Sequence, residues 1–205
     1  MRQPNYNLER KLIKQGYQKI VGIDEVGRGA LAGPIVAVAS MIISQKIPYQ
    51  IFKIKIKDSK LLSEKNREKI FAELSQKVIW SAGLVSHREI DQLGISRANI
   101  LVIKRALKKL EIEPDYLLLD KVYNFKHPQP WQSIIRGDRK ILSIAVASIL
   151  AKVYRDRIMC DYHQKYPEYN FQQHKGYGTK LHQQCLIKNG SCGIHRQSFL
   201  KNLSP

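Results

Sequence analysis

The sequence is poor in negative charge. Its 205 residues include 17 Asp and Glu against 35 Lys and Arg, which gives a formal net charge of +18. Such an excess of positive charge favours a polyanionic partner, nucleic acid above all, although solvated surface lysines alone would produce the same balance. Charge by itself therefore leaves both interpretations open.

Long apolar runs are also absent. No run approaches the ~20 residues that a membrane-spanning helix needs, and no apolar signal-peptide segment follows the N-terminal residues. We therefore expect no membrane association and a cytoplasmic location. With 43% hydrophobic and 25% charged residues, the chain can still bury a full core, and its composition disfavours disorder.

Cysteine is scarce. Cys160, Cys185 and Cys192 form no C-x-x-C pair, which is typical of reduced thiols in a reducing compartment. His182-x-x-Cys185 and Cys192-x-x-His195 could in principle supply four zinc ligands. The six residues between the two cysteines are fewer than in a usual finger loop. We interpret this spacing as a coincidence.

The hydrophobic periodicity predicts an α/β protein. Strands are expected at residues 19–25, 35–43, 78–85 and 115–120, and helices at 6–15, from Ser63 as N-cap to about 74, 88–110, 143–158 and 181–188. An antiparallel hairpin followed by alternating helices and strands indicates a mixed sheet with helices on both faces. Without repeats or a linker, we expect residues 1–205 to form a single domain.

The most informative stretch is Asp24-Glu25, which ends an apolar run and is followed by glycines. Gly27-x-Gly29 suggests a dinucleotide-binding loop, but the third glycine, Gly33, comes one place late, and a β-branched run follows where that fold needs a helix. A phosphate-binding Walker loop is excluded because no Gly-Lys-Ser/Thr ends the turn. The glycines therefore have another role.

Two further aspartates could join this pair. Asp120 ends another apolar run, and Asp138 precedes a predicted helix, where the helix dipole alone would favour a carboxylate. Clustered carboxylates in a basic protein favour phosphoryl chemistry with two hard cations, Mg²⁺ or Mn²⁺. Sugar hydrolysis by a carboxylate pair is disfavoured by the two tryptophans and the positive charge. Because successive strand residues point to opposite faces, we expect the strand to end or twist at Glu25.

Several motifs together resemble ribonuclease HII. They are residues 23–29 (IDEVGRG), 57–60 (KDSK), 118–120 (LLD), 137–138 (GD), 143–157, 174–179 (HKGYGT) and 195–199. The resemblance runs from about residue 8 to the end of the chain. So many motifs in the same order and spacing make it specific, whereas an Asp-Glu dipeptide alone would mean little.

The resemblance implies an RNase H-like mixed five-stranded sheet flanked by helices, with a C-terminal helical part (residues 160–205) that completes the substrate groove. It also implies a monomeric endonuclease that uses Mn²⁺ or Mg²⁺, with a two-metal mechanism. The implied substrates are the RNA strand of RNA–DNA hybrids and single ribonucleotides embedded in duplex DNA, cut on their 5′ side to leave 3′-hydroxyl and 5′-phosphate ends.

The matching positions assign roles to individual residues. The implied catalytic and metal-binding carboxylates are Asp24, Glu25, Asp120 and Asp138. The implied substrate-binding residues are Gly27, Arg28, Gly29, Lys60, Lys175 and Tyr177. The glycine loop would read the 2′-hydroxyl through its backbone, and Tyr177 would contact the junction between ribonucleotide and deoxyribonucleotide. Pattern alone would make Tyr177 a half-buried core residue.

Two alternatives stay open at this point. One is a nucleic-acid-binding protein that has kept the fold and lost turnover, although all four carboxylates are present. The other is the related type HIII enzyme, which has an Asp-Glu-x-Gly-Lys-Gly pattern and an added N-terminal domain. Arg28 in place of that lysine, and the short segment before the first strand, favour type HII.

Overall fold

The computed structural model describes residues 3–43 and 64–201. The KDSK motif with Lys60, and the proposed helix cap Ser63, lie outside these ranges. Within them, no helix is both long enough and apolar enough to cross a membrane.

Strands and helices alternate along the described chain. The strands are β1 (Ile20–Val26), β2 (Ile35–Ile42), β3 (Val78–Val85), β4 (Tyr116–Asp120) and β5 (Trp131–Ile134). The helices are α1 (Asn7–Lys14), α2 (Glu64–Ser75), α3 (His87–Leu93), α4 (Ile95–Lys109), α5 (Leu142–Lys165), α6 (Phe171–His174), α7 (Lys180–Asn189) and α8 (Gln197–Leu200). Short 3₁₀ turns cover Gly137–Arg139 and Pro167–Tyr169.

The five strands form one mixed sheet in the order β3-β2-β1-β4-β5. Strand β1 pairs with β2 in antiparallel and with β4 in parallel orientation, and β5 runs parallel to β4. The expected mixed five-stranded sheet is therefore confirmed. Strand β5 was not located by the sequence pattern, because it has four residues and its Trp-Gln-Ser-Ile sequence is not an apolar run.

The sheet is covered by helices on both faces. Helix α5 packs against β1 and β2 on one face, while α4 packs against β2 and β3 on the other. The close approach of α5 depends on Gly22, since a Cβ atom there would lie 2.3 Å from the carbonyl carbon of Ser143. The small α5 residues Ala145, Ala147 and Ala151 are buried against the sheet. The N-terminal end of α5 is thus fixed beside the middle of β1.

Two local expectations were wrong. The helix expected at residues 88–110 is two helices, because Gly94 takes a φ of +74° between them. The first of them begins with a capping box formed by Ser86 and Glu89. Strand β1 does not end at Glu25 but stays paired as far as Val26. Regular pairing means that Asp24 and Glu25 point to opposite faces of the sheet.

Candidate active site

Asp24 and Asp120 lie side by side on neighbouring strands, Asp24 two residues before the end of β1 and Asp120 at the end of β4. The parallel register pairs Ile23 with Leu119, so the next residues along the two strands are these aspartates. Neighbouring strands are about 4.8 Å apart, and residues in register point to the same face. That face is the one covered by α5, because the pKa of Asp24 is affected by a hydrogen bond from the Ser148 side chain.

Asp120 also positions the turn that carries Asp138. Its Oδ1 accepts a hydrogen bond from the Gly137 backbone N–H at 2.8 Å. A Cβ atom at Gly137 would lie 2.7 Å from Cδ1 of Ile144, so the turn packs closely against the side chains of α5. The 3₁₀ turn Gly137–Arg139 is therefore held against the end of β4.

Negative charge is concentrated around Asp24. This carboxyl is 8% exposed, and its Oδ1 accepts a hydrogen bond from the Glu25 N–H at 2.8 Å. Burial raises its pKa well above the usual value, and the charges of Glu25, Asp120 and Asp138 raise it further, against the hydrogen bond from Ser148. All four carboxylates predicted from the sequence are thus close enough to interact, and a bound cation would relieve their repulsion.

Glu25 points to the opposite face, towards α4. Burial raises its pKa to about 7, Arg28 opposes this rise, and Asp120 adds to it. A side-chain hydrogen bond from Asn99 also favours the charged form. Asn99 is 3% exposed, and its Oδ1 has no hydrogen-bond partner among the described residues. Sequence reasoning missed Asn99, which looks like any polar residue of a helix.

We expect Glu25→Gln to stabilise the metal-free protein at alkaline pH. The folded-state pKa of Glu25 is about 7 against an ordinary 4.5, so the folded state holds the extra proton and loses stability as pH rises through this window. At about pH 8 in EDTA the variant should unfold about 4 °C or more above the wild type, and at about pH 4 the difference should shrink. Thermal unfolding at both pH values measures this.

Exposed Glu111 provides the control for that measurement. The substitution Glu111→Gln makes the same charge change away from the carboxylates and should leave the pH dependence as in the wild type. Equal unfolding temperatures for Glu25→Gln and the wild type at about pH 8 would contradict the raised pKa of Glu25.

The carboxylates fit a hard cation by their chemistry. All four offer oxygen ligands of the kind that Mg²⁺ and Mn²⁺ prefer. In the ranges 3–43 and 64–201, no three carboxylate, histidine or cysteine side chains converge closely enough to hold an ion as they stand. Two oxygens, Oδ1 of Asp24 and Oδ1 of Asp120, are engaged by backbone amides. Each of these carboxylates has a second oxygen, Oδ2, which would be the one to bind an ion.

The glycine loop lies against Tyr177. The Gly27 N–H donates a hydrogen bond to the Tyr177 phenol oxygen at 3.2 Å, and the main chains of Ala30 and Tyr177 form a β-bridge. Arg28 and Gly29 are exposed, and a Cβ atom at Gly29 would meet nothing within 4 Å. The structure therefore brings four of the predicted substrate-binding residues together: Gly27, Arg28, Gly29 and Tyr177.

Two buried arginines hold this loop, and sequence reasoning assigned them no role. Arg155 on α5 and Arg196 before α8 are each 0% exposed. The Arg155 guanidinium donates to the carbonyls of Pro34 (2.8 Å), Lys175 (2.9 Å) and Ala32 (3.1 Å). The Arg196 guanidinium donates to the carbonyls of Gly27 (2.7 Å), Arg28 (3.0 Å) and Gly33 (3.0 Å). Burial, followed by the charge of Arg155, lowers the pKa of Arg196 to about 9.

These arginines determine which backbone groups the loop presents. The guanidinium groups occupy the carbonyls of Gly27 and Arg28, whereas the amides of Arg28 and Gly29 have no acceptor within the described part of the chain. Arginine is mostly a surface residue. The partners of Arg155 and Arg196 are carbonyl oxygens, which every residue carries. No pattern in the sequence therefore indicates that these two arginines hold the loop.

Lys175 occupies a different environment from the one expected of a substrate-binding residue. Its side chain is buried, with 6% of the residue exposed, and its ammonium group donates to the Gln172 carbonyl and to Cys160 Sγ at 3.3 Å. This geometry favours a structural role for Lys175 over a contact with substrate. The two histidines of the zinc-like spacing, His182 and His195, hydrogen-bond directly to each other at 3.0 Å.

Comparison with known proteins agrees with this geometry. The family model described as Ribonuclease HII matches residues 21–202. Ribonuclease HII of Caldicellulosiruptor bescii is 46% identical over 97% of this chain and 94% of its own length, and that of Dehalococcoides mccartyi is 41% identical over 96% and 92%. The crystal structure of ribonuclease H2 from Pyrococcus horikoshii superposes with a TM-score of 0.74 at 28% identity, covering 88% of this chain and 93% of that one.

More distant structures share the fold. A type HIII enzyme, Bst-RNase HIII in complex with Mn²⁺, has a TM-score of 0.70 at 18% identity and covers 85% of this chain and 63% of that one. At this identity the likeness shows the fold alone. The match to the type HII model, with relatives at 41–46% identity, decides between the two types.

Proposed function

Because the chain belongs to the ribonuclease HII family and is an endonuclease that hydrolyses RNA in RNA–DNA hybrids, we propose that it also nicks duplex DNA at single embedded ribonucleotides, in a reaction that depends on divalent metal. The observation that carries this proposal is the contact between Gly27 and Tyr177 beside the carboxylates. In this proposal the loop that contacts the sugar follows directly after the carboxylates that would cut the phosphodiester.

The carboxylates supply the metal site of the proposal. Asp24, Glu25, Asp120 and Asp138 would hold two Mg²⁺ or Mn²⁺ ions, with Asp24 and Asp120 best placed to share one. Held by these carboxylates, the ions would supply an activated water and charge stabilisation for the leaving oxygen of a phosphodiester. The chain's own contribution is the clustered negative charge, which attracts the cations, and the buried strand ends, which fix the carboxylates in place.

The glycine loop supplies the discrimination between RNA and DNA. The 2′-hydroxyl is the group that distinguishes the two sugars, and it both donates and accepts hydrogen bonds. The exposed amides of Arg28 and Gly29 can donate to it, and the open space at Gly29 lets a sugar approach the backbone. Tyr177 lies next to this position, where its ring can pack against the following sugar.

The positive charge supplies affinity. The net charge of +18 favours contacts with phosphates along the duplex, which position the substrate without reading its sequence. In this proposal the chain acts as one domain and as a monomer in the cytoplasm, and the helices after about residue 160 complete the groove. Lys60 belongs to the proposed substrate-binding set through its motif alone.

A comparison of three duplexes tests the proposal. The wild type should cut an RNA–DNA hybrid and a DNA duplex with one ribonucleotide, in Mg²⁺ or Mn²⁺, but should leave the matching all-DNA duplex intact. EDTA should abolish both cuts. Binding without cutting in either metal would favour the non-catalytic alternative, and cutting of the hybrid alone would contradict the single-ribonucleotide activity.

A further inference from the structure

Three histidines lie buried behind Tyr177. His174 ends α6, His182 is in α7, and His195 precedes α8; they are 7%, 0% and 1% exposed. The rings of His174 and His182 stack with their centroids 4.3 Å apart, and the ring of Phe171 lies against all three. Nothing in the cleavage reaction described above uses these imidazoles.

Hydrogen bonds connect Cys192, His195 and His182 in a series that ends on the Tyr177 carbonyl. The Cys192 backbone N–H donates to His195 Nδ1 at 2.9 Å, so His195 carries its proton on Nε2. That N–H donates to His182 Nε2 at 3.0 Å. His182 therefore carries its proton on Nδ1, which lies 3.0 Å from the Tyr177 carbonyl oxygen and donates to it.

The opposite assignment fits worse. His195 Nδ1 also lies 3.1 Å from Cys192 Sγ and 3.3 Å from the Cys192 carbonyl, and a proton on Nδ1 could be donated to either atom. His182 would then have to donate from Nε2, which would leave its unprotonated Nδ1 facing the Tyr177 carbonyl at 3.0 Å. Two lone pairs would meet inside a buried site. The first assignment gives one donor and one acceptor to each of the three contacts at 2.9–3.0 Å, and only the longer contact between His195 Nδ1 and the Cys192 carbonyl then carries no hydrogen bond.

The backbone just before Tyr177 needs such support. Lys175 and Gly176 take φ values of +50° and +82°, and the left-handed conformation is unfavourable for a lysine. His174 holds the same turn, since its Nδ1 accepts from the Gly176 N–H at 3.2 Å while its Nε2 donates to the Tyr169 carbonyl at 2.7 Å. The turn is thus held by hydrogen bonds to the buried rings of His174 and His182.

We propose that His182, held by His195, is a positioning residue that sets the Tyr177 turn and, through it, the contact between the Tyr177 phenol and the Gly27 amide. The proposal rests on the proposed function in one respect, that Tyr177 contacts the sugar at the junction. The ring acts through the backbone: its Nδ1–H holds the carbonyl of the residue whose side chain reaches the glycine loop.

Burial keeps the three histidine rings neutral. Burial, together with the neighbouring His174 and His195, lowers the pKa of His182 to about 4 against the opposing hydrogen bond to the Tyr177 carbonyl. Burial also lowers the pKa of His174 and His195. All three rings are therefore neutral near neutral pH. A proton added to His182 would place N–H against N–H between His182 and His195, so neutrality is a condition of the arrangement.

The tautomers can be tested without substrate. Long-range ¹H–¹⁵N correlation spectra of the ¹⁵N-labelled full chain near neutral pH should show His182 protonated on Nδ1 and His195 protonated on Nε2. A His182 ring that is charged, or protonated on Nε2, would overturn the proposal. This result does not depend on any cleavage activity.

Two substitutions of His182 test positioning. Asparagine places an amide N–H where Nδ1 stands, so His182→Asn keeps the donor to Tyr177, whereas His182→Leu removes it. We expect His182→Leu to lower kcat on the single-ribonucleotide duplex by about tenfold or more with little change in KM. His182→Asn should recover most of that loss. An equal decrease of kcat in the two variants would overturn the proposal, and so would a rise in KM with kcat unchanged.

The Gly27 amide gives a readout that is independent of turnover. In His182→Leu its proton resonance should shift, since the bond to the Tyr177 phenol is disturbed, and in His182→Asn it should stay near the wild-type position. In a Tyr177→Phe background, His182→Leu should cause little further loss of kcat; an undiminished loss would overturn the proposal. If the wild type proved inactive on this duplex, the proposed function would fail while the Gly27 shift still decided the positioning role.

Discussion

Asp24→Asn should lower the rate of cleavage by about 10³-fold or more while the protein still binds duplex. Asparagine keeps the size of the side chain and one oxygen but removes the charge that would hold a divalent cation. Asp24 is buried beside Asp120, so no water-exposed group can replace it. Affinity should persist, and should fall with salt, because the basic surface supplies it.

Single-turnover cleavage and fluorescence anisotropy at two salt concentrations measure the two effects. The matched control is Asp161→Asn, which makes the same charge change at an exposed position of α5. It should cleave at the wild-type rate. If Asp24→Asn kept more than about a tenth of the wild-type rate, the carboxylate cluster would not be the catalytic site.

Gly27→Ala should destabilise the protein by about 3 kcal/mol or more. Gly27 has a φ of +89°, and an added Cβ atom would lie 2.2 Å from Nε of Arg155 and 2.8 Å from the Pro34 carbonyl oxygen. Arg155 cannot move away easily, because three backbone carbonyls hold its guanidinium. Thermal unfolding should show a decrease of about 6 °C or more.

Gly29→Ala is the matched control two residues away. An added Cβ atom there meets nothing within 4 Å, so its unfolding temperature should stay close to that of the wild type. Its KM for the single-ribonucleotide duplex should rise, because the methyl group occupies space that the sugar approaches in the proposed function. Equal unfolding temperatures for the two variants would contradict the described packing of Gly27 against Arg155.

The sequence was sufficient to place the strands that form the site. Apolar runs that end on Asp24 and Asp120 predicted two buried strands, and the parallel pairing of these strands then brings the aspartates together. Strand β5 could not be located in the same way, because a short strand at the sheet edge needs no apolar run. Its contribution to the site is indirect, through the turn that follows it.

Contacts made through the backbone could not be predicted. Arg155 and Arg196 bind carbonyl oxygens, and the bond from His182 to the Tyr177 turn also ends on a carbonyl oxygen, so no partner side chain in a motif could reveal these contacts. The burial of Lys175 was hidden for the same reason, since its ammonium group donates to the Gln172 carbonyl. Side-chain identity reveals the chemistry of this site, whereas its backbone support appears only in three dimensions.

The position of the cut in a duplex with one ribonucleotide tests the central claim most directly. Mass spectrometry of the products formed by the purified chain in Mg²⁺ or Mn²⁺ should show a single break on the 5′ side of the ribonucleotide. One fragment should end in a 3′-hydroxyl group, and the ribonucleotide should begin the other with a 5′-phosphate. An intact duplex, or a break on the 3′ side of the ribonucleotide, would contradict the account.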